Sequence, residues 1–251
     1  MNYAIITGGS KGLGSAIVKE LLQEPVHIFS VARSHNEEIA LTTEANDTTF
    51  ENISFDLSDI NSIPEVVSSI FQKINLERAH RIFLINNAGV ISPIKPLQNA
   101  EATDISTNIS INLTAPLIFS SCFIKHTEKY KLDKRIINIS SGASRSPISG
   151  WSSYGSAKAG VNLFSQTVAI EQKQQPFPVQ VCAFAPGIID TGMQEQIRST
   201  DKTDFSELAR FQAYKAEGHL MSAEKVAKVI RELLFSDQFP NGEVVSIQQY
   251  T

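Results

Sequence analysis

Short apolar runs alternate along the chain with stretches in which apolar residues return every three or four positions. Residues 3–7 form the first run, which stops at Gly8. Leu13, Ile17 and Leu21 then recur at helical spacing, with Val18 and Leu22 beside them, until Pro25 ends the pattern. Val26–Ala32 is a second run, and 53–55 a third that ends at Asp56. Ile63, Val67, Ile70 and Ile74 are again spaced for a helix. Further runs follow at 81–86, 135–140, 179–184 and 243–247. Runs this short and this apolar fit strands covered on both faces, and their alternation with amphipathic helices predicts an α/β fold: a doubly wound parallel sheet with helices on both sides. No repeat, low-complexity tract or linker interrupts it, so residues 1–251 read as a single domain.

One segment breaks the alternation. Residues 191–221 are richer in charge, yet carry Met193, Ile197, Phe205, Leu208, Phe211, Tyr214 and Met221. They join two strands where a short connection would suffice, which predicts a lid or binding element over the site. Leu208 and Phe211 lie three and six residues past Phe205, giving one helical face an apolar stripe. Such a stripe either packs or lines a pocket.

Composition narrows the function. The charged fraction is 19% and the net charge −4, which offers nothing to nucleic acid or to an anionic membrane. The two cysteines, Cys122 and Cys182, each sit in an apolar run and read as buried thiols of a reducing compartment. The five histidines are scattered, and no cluster suits a metal. The first residues lack a basic leader followed by an apolar core, and no run approaches about 18 apolar residues. A cytoplasmic protein is expected.

Candidate chemistry gathers at the junctions. Thr7-Gly8-Gly9-Ser10-Lys11-Gly12-Leu13-Gly14 joins the first strand to the first helix. Glycines there permit positive φ and close approach of a ligand, and the helix N-terminus beyond offers free N–H groups to a pyrophosphate. This is a relative of the dinucleotide-binding turn of Rossmann-type sheets, or else only a turn. Arg33 ends the second strand, where an acidic residue would bind a ribose 2′-hydroxyl and an arginine accommodates a 2′-phosphate. Lys11 reaches for the same phosphate, unless both are plain surface charges. Asp56-Leu57 follows the third strand, either to contact adenine or to cap the next turn. Asn86-Asn87-Ala88-Gly89 ends the fourth. Tyr154 and Lys158 are four residues apart, on one face if the stretch is helical. An ammonium beside a phenol lowers its pKa, which predicts a proton donor and acceptor near neutral pH.

Taken in this order, the glycine turn, Asp56, the Asn-Asn-Ala-Gly run, Ser141, the Tyr154/Lys158 pair and Pro186-Gly187 followed by Thr191 resemble the short-chain dehydrogenase/reductases over essentially the whole chain. Ser141, thirteen residues before Tyr154, matches the family serine, and Asn112 the asparagine of the family's catalytic tetrad. Gly150-Trp151 and the run 185–193 are most similar to the sepiapterin-reductase-like branch, and within it to the bacterial benzil reductases. The last eight residues lack the acid with which sepiapterin reductases hold a pterin.

The resemblance implies catalytic Asn112, Ser141, Tyr154 and Lys158. It implies that NADPH or NADP+ is held by Gly8, Ser10, Lys11, Gly12, Leu13, Gly14, Arg33, Asp56, Leu57, Asn87, Ala88, Gly89, Tyr154, Lys158, Pro186, Gly187, Ile189 and Thr191. Ser141, Trp151, Tyr154 and Met193 would meet a small ketone substrate, one carbonyl of an aromatic 1,2-diketone such as benzil being reduced to (S)-benzoin. The alternatives are a pterin side-chain ketone, or a nucleotide-sensing protein without catalysis. A homo-oligomer is also implied. Pro116 lies four residues past Asn112 and has no N–H for its carbonyl. That carbonyl is then open to the family's relay water, or the proline is simply a kink.

Overall fold

The computed structural model of the protein describes residues 1–36, 39 and 49–250. Seven strands form one parallel sheet: β1 (Asn2–Thr7), β2 (Val26–Ala32), β3 (Phe50–Ser54), β4 (Arg81–Asn86), β5 (Asp133–Ile139), β6 (Gln180–Ala185) and β7 (Val244–Ser246), in spatial order β3-β2-β1-β4-β5-β6-β7. Every pairing is parallel, as in Ile5↔Phe29 and Ile5↔Leu84. The sheet is Rossmann-type, as expected from runs such as those of β1 and β4, whose residues after the first are all buried. The chain builds outward from β1 in one direction and returns to lay β4 on its other side. That reversal leaves a crevice between the C-terminal ends of β1 and β4, the place where such sheets bind ligands.

Helices cover both faces. Among the described residues, α1 (Gly12–Leu21) and α8 (Ala223–Phe235) pack together on one face, with Ile17, Leu21, Val226 and Ile230 fully buried. On the other lie α2 (Ile63–Phe71), α3 (Ala102–Ile109), α4 (Ala115–Thr127) and the long α5 (Ser152–Gln172). Helices α3 and α4 are joined without a break by one π-helical segment, Ser110–Thr114, in which the Ala115 N–H reaches back five residues to the Ser110 carbonyl. The joined helix is long and apolar enough to cross a membrane by length and composition alone. Its Ile111, Ala115, Phe119 and Phe123 are instead buried in the core that α2 and the sheet share.

Residues 191–221 form two short helices, α6 (Gly192–Arg198) and α7 (Leu208–Ala216), and the excursion closes where Ile189 bridges to Met221. The expected stripe packs. Phe205 and Phe211 are buried against Trp151, Tyr154, Ile91 and Ile94, in a third cluster apart from both faces of the sheet.

Candidate active site

The glycine turn sits at the mouth of the crevice. Gly8 and Gly12 have positive φ, at 69° and 55°. A Cβ on Gly8 would stand 2.9 Å from the Ala88 Cα, so β1 and β4 can close on each other there only with glycine. Asn87 locks the two strand ends: its Nδ2 donates to the carbonyls of Thr7 (3.0 Å) and Gly8 (3.2 Å), while Thr7 Oγ1 accepts from the N–H groups of Asn87 and Ala88. Lys11 is the N-cap residue of α1 and its side chain makes no capping bond, so that helix start is open to a phosphate. Gly12 faces the Thr191 methyl, 3.4 Å from where its Cβ would be, which brings the segment after β6 over the turn. A cradle with an uncapped helix end, exposed Lys11 and exposed Arg33 fits a dinucleotide bearing a 2′-phosphate.

Two residues absent from the sequence reading complete this rim. Ser34 donates to Ser10 Oγ (3.0 Å), and Asn36 Nδ2 donates to the Ser10 carbonyl and to Ser15 Oγ, both at 3.0 Å. They tie the end of β2 to the glycine turn, and their position directly behind Arg33 was the available signal. Asp56 accepts from the N–H and hydroxyl of Ser58, both at 2.9 Å, so it caps the turn after β3. Those bonds, with a smaller contribution from Arg33, hold its carboxyl below the usual range. Leu57 turns its side chain into the core. Ile189 does the same beneath α8. Pro186 is buried, and Gly187 (φ 76°) lies against Ile247.

The second half of the site is buried. Tyr154 and Lys158 follow each other on α5 as their spacing predicts, and are 6% and 3% exposed. Lys158 Nζ stands 5.8 Å from the centre of the Tyr154 ring and donates to the Ile139 carbonyl at 2.8 Å. The expected fall in the tyrosine pKa is reversed. Burial raises it, with the Ser141 hydrogen bond pulling weakly the other way. Burial also pushes Lys158 down to about 8. An ammonium drawn to a backbone carbonyl does not offset the desolvation of a phenol whose ring, rather than oxygen, it faces. Ser141 caps the turn 142–144, its hydroxyl accepting from the Ala143 N–H at 3.2 Å.

Asn112 is fully buried in the π segment. Its Oδ1 accepts from the Val90 N–H (3.1 Å), and its Nδ2 donates to the Val90 carbonyl (2.7 Å) and to Asn108 Oδ1 (3.0 Å). The π turn closes the Ala115 N–H on the Ser110 carbonyl just ahead of Pro116, which has no N–H to give to the turn before it. Asn108, one turn earlier, clamps the same loop by donating to Val90 and Ser92 carbonyls. Its spacing from Asn112 could have revealed it. Gly89 lies beside both, a Cβ there standing 2.9 Å from Asn112 Oδ1 and 3.7 Å from Lys158 Nζ. Trp151 meets Tyr154 edge-on at 5.6 Å and stacks flat on Phe205 at 5.6 Å, with Met193 packed against the same cluster.

The short chain dehydrogenase family model matches residues 2–202. A benzil reductase ((S)-benzoin forming) of Bacillus cereus is 47% identical over 249 residues, covering 99% of this chain and all of that protein. The sepiapterin reductase of Rattus norvegicus is 28% identical, over 95% and 93% of the two chains. The solved structure of ElxO with NADP bound superposes with a TM-score of 0.79 at 28% identity, over 98% of this chain and 96% of that one. With glycine turn, Asn-Asn-Ala-Gly lock, half-buried serine and Tyr/Lys helix all set at one end of the sheet, this chain belongs to the short-chain dehydrogenase family.

Proposed function

We propose that the protein is an NADPH-dependent carbonyl reductase acting on one carbonyl of aromatic 1,2-diketones, benzil to (S)-benzoin being the model reaction. The observation that carries this reading is Tyr154 inside an aromatic cluster, with Ser141 acting on its phenol and Lys158, one turn on, over its ring. The benzil reductases among the relatives support the choice of substrate.

Bound NADPH supplies the hydride that attacks the carbonyl carbon. The hydroxyls of Ser141 and Tyr154 donate to the carbonyl oxygen as negative charge grows there. Tyr154 then gives its proton to that oxygen, leaving the alcohol. Its raised pKa suits this direction, because the phenol stays protonated at neutral pH until the alkoxide forms. Lys158, over the Tyr154 ring, offsets the tyrosinate's charge until solvent returns the proton, and Asn112 holds the Val90 loop beside Gly89 and Lys158. Lys11 and Arg33 hold the 2′-phosphate. Segment 191–221 is the lid, seated on Trp151 through Phe205. A phenyl ring of about 150 Å² buried at roughly 25 cal/mol per Å² gives a gross gain near 4 kcal/mol, part of it lost to ordering. An aromatic preference of about 10²-fold follows.

The experiment is NADPH oxidation with benzil or 1-phenyl-1,2-propanedione against butane-2,3-dione, on wild type and Tyr154→Phe. The aromatic diones should win by about 10²-fold in kcat/KM, and Tyr154→Phe should lose about 10²–10⁴ in turnover while still binding NADPH. Equal rates for the small dione would remove the aromatic pocket, and threefold or less lost in Tyr154→Phe would remove the acid.

The protein works in the cytoplasm in this reading, consistent with free Cys122 and Cys182. It pairs with a second copy through the outer face of α5, where Leu163 and Ile170 are exposed.

A further inference from the structure

The face of α5 that carries Tyr154 and Lys158 continues, one turn on, at Asn162, which is 9% exposed. The Asn162 Oδ1 accepts from the Ser140 hydroxyl at 2.6 Å, and its Nδ2 donates to the Ser144 hydroxyl at 2.8 Å. The Ser144 hydroxyl in turn donates to the Ser141 carbonyl at 2.6 Å. Both flanks of Ser141 therefore hang from one carboxamide. The Ser140 N–H is fixed to the Phe184 carbonyl (2.8 Å), so the near flank is also pinned to the sheet. Ser141 Oγ accepts from the Ala143 N–H at 3.2 Å and lies close enough to the Tyr154 phenol to draw its pKa down.

We propose that Asn162 is a positioning residue that sets the Ser141 hydroxyl against the Tyr154 phenol. The geometry explains why it sits on α5. A helix rises a fixed 1.5 Å per residue, so a group two turns from Tyr154 is held at a fixed offset from it. By gripping the serine turn from that same helix, Asn162 makes the Ser141–Tyr154 distance depend on one rigid element instead of on a loop. An alanine at this position leaves Ser140 and Ser144 hydroxyls without their amide and lets the turn drift. The proposal rests on Ser141 and Tyr154 being the donor pair described above.

The test is a double-mutant cycle read in kcat with an aromatic diketone and saturating NADPH. Asn162→Ala alone should lower kcat by about 10–100-fold, the usual cost of misplacing a reacting group by up to an ångström. NADPH binding, measured by fluorescence, should stay within about twofold, and so should the further loss when Asn162→Ala is added to Ser141→Ala. If Asn162→Ala costs the same factor in both backgrounds, its role is structural and the proposal fails. Wild-type kcat in Asn162→Ala would also overturn it. Wild-type kcat in Ser141→Ala would instead remove the donor pair itself, and this proposal with it. Should Asn162→Ala not fold, Ser144→Ala, which cuts the final link alone, goes through the same cycle and is judged by the same outcomes.

Discussion

Lys158 is a lysine without a carboxylate partner among the contacts that hold it. It is buried and donates to one backbone carbonyl, and its pKa falls to about 8 as a result. In the unfolded chain it titrates near 10.5. Between those values the unfolded chain binds more protons than the folded one, so this lysine's contribution to stability rises with pH from about 8 to 10.5, and is lost as pH falls through 8. Other buried groups, Tyr154 and Cys182 among them, titrate with the opposite sign at high pH. The clean measurement is therefore the difference in unfolding free energy between wild type and Lys158→Met without cofactor. Wild type should gain on the variant by on the order of 1–3 kcal/mol across that window. A pH-independent difference would mean that the ammonium is solvated. Arg33 is the opposite case, exposed and beside an exposed carboxylate. Its value lies in what it binds. A hydrogen bond to a charged group is worth about 1.5–3 kcal/mol, so Arg33→Ala should erode the NADPH/NADH ratio of kcat/KM by roughly 10–150-fold. An unchanged ratio would pass the role to Lys11.

Segment 191–221 is held at a few places. Phe205 is fully buried and stacks on Trp151, Gln196 donates to Ser92 at 2.7 Å, and Lys215 pairs with Asp190. In a domain core, loss of such a phenylalanine costs about 3–5 kcal/mol. A separately packed element meets that loss by opening locally. Phe205→Ala should therefore shift Tm little, speed tryptic cleavage at Arg198 and Lys202, and raise KM for the aromatic diketone by about tenfold. Cleavage at the wild-type rate would place the segment's hold elsewhere. The elements themselves were largely legible, because a strand buried on both faces must be written in apolar residues. The exception is instructive: β3 begins at Phe50, ahead of the apolar 53–55, since an edge strand paired only to β2 tolerates Glu51 and Asn52. The π segment left no trace, as one inserted residue scarcely disturbs a helical period. The Tyr154/Lys158 pair was legible as neighbours, but not its electrostatics. Spacing says nothing of solvent, and the exclusion of solvent reversed the sign of the tyrosine shift. Asn162 was invisible for the same reason, being on paper one more polar residue of a helix.

Helix α5 faces two ways. Its inner side carries Tyr154, Lys158 and Asn162, while on its outer side Leu163 is 67% and Ile170 63% exposed, seven residues apart and so on one stripe. Gly160 lies against Leu113 of the π segment, a Cβ there standing 3.0 Å from the leucine methyls, and Leu117, one turn on, is exposed as well. Large apolar side chains are left in water on and beside the outer side of α5 at a cost of about 1.5–3 kcal/mol each against burial. A second copy related by a two-fold axis would cover the same stripe on both chains, so Leu163 and Ile170 would together contribute four side chains, roughly 6–12 kcal/mol gross, against association costs of about 4–15 kcal/mol. Without those four side chains the gain would not meet the cost, so the proposed pairing should depend on the stripe. Wild type should sediment as a dimer or larger assembly at micromolar concentration, and Leu163→Glu with Ile170→Glu should sediment as a monomer with its sheet and NADPH binding intact. Turnover in that monomer should fall by less than in Tyr154→Phe, because the groups that meet the substrate come from one chain and lose only the backing of their helix. A monomeric wild type would remove the pairing. A dimer that survives both glutamates would move it to another face.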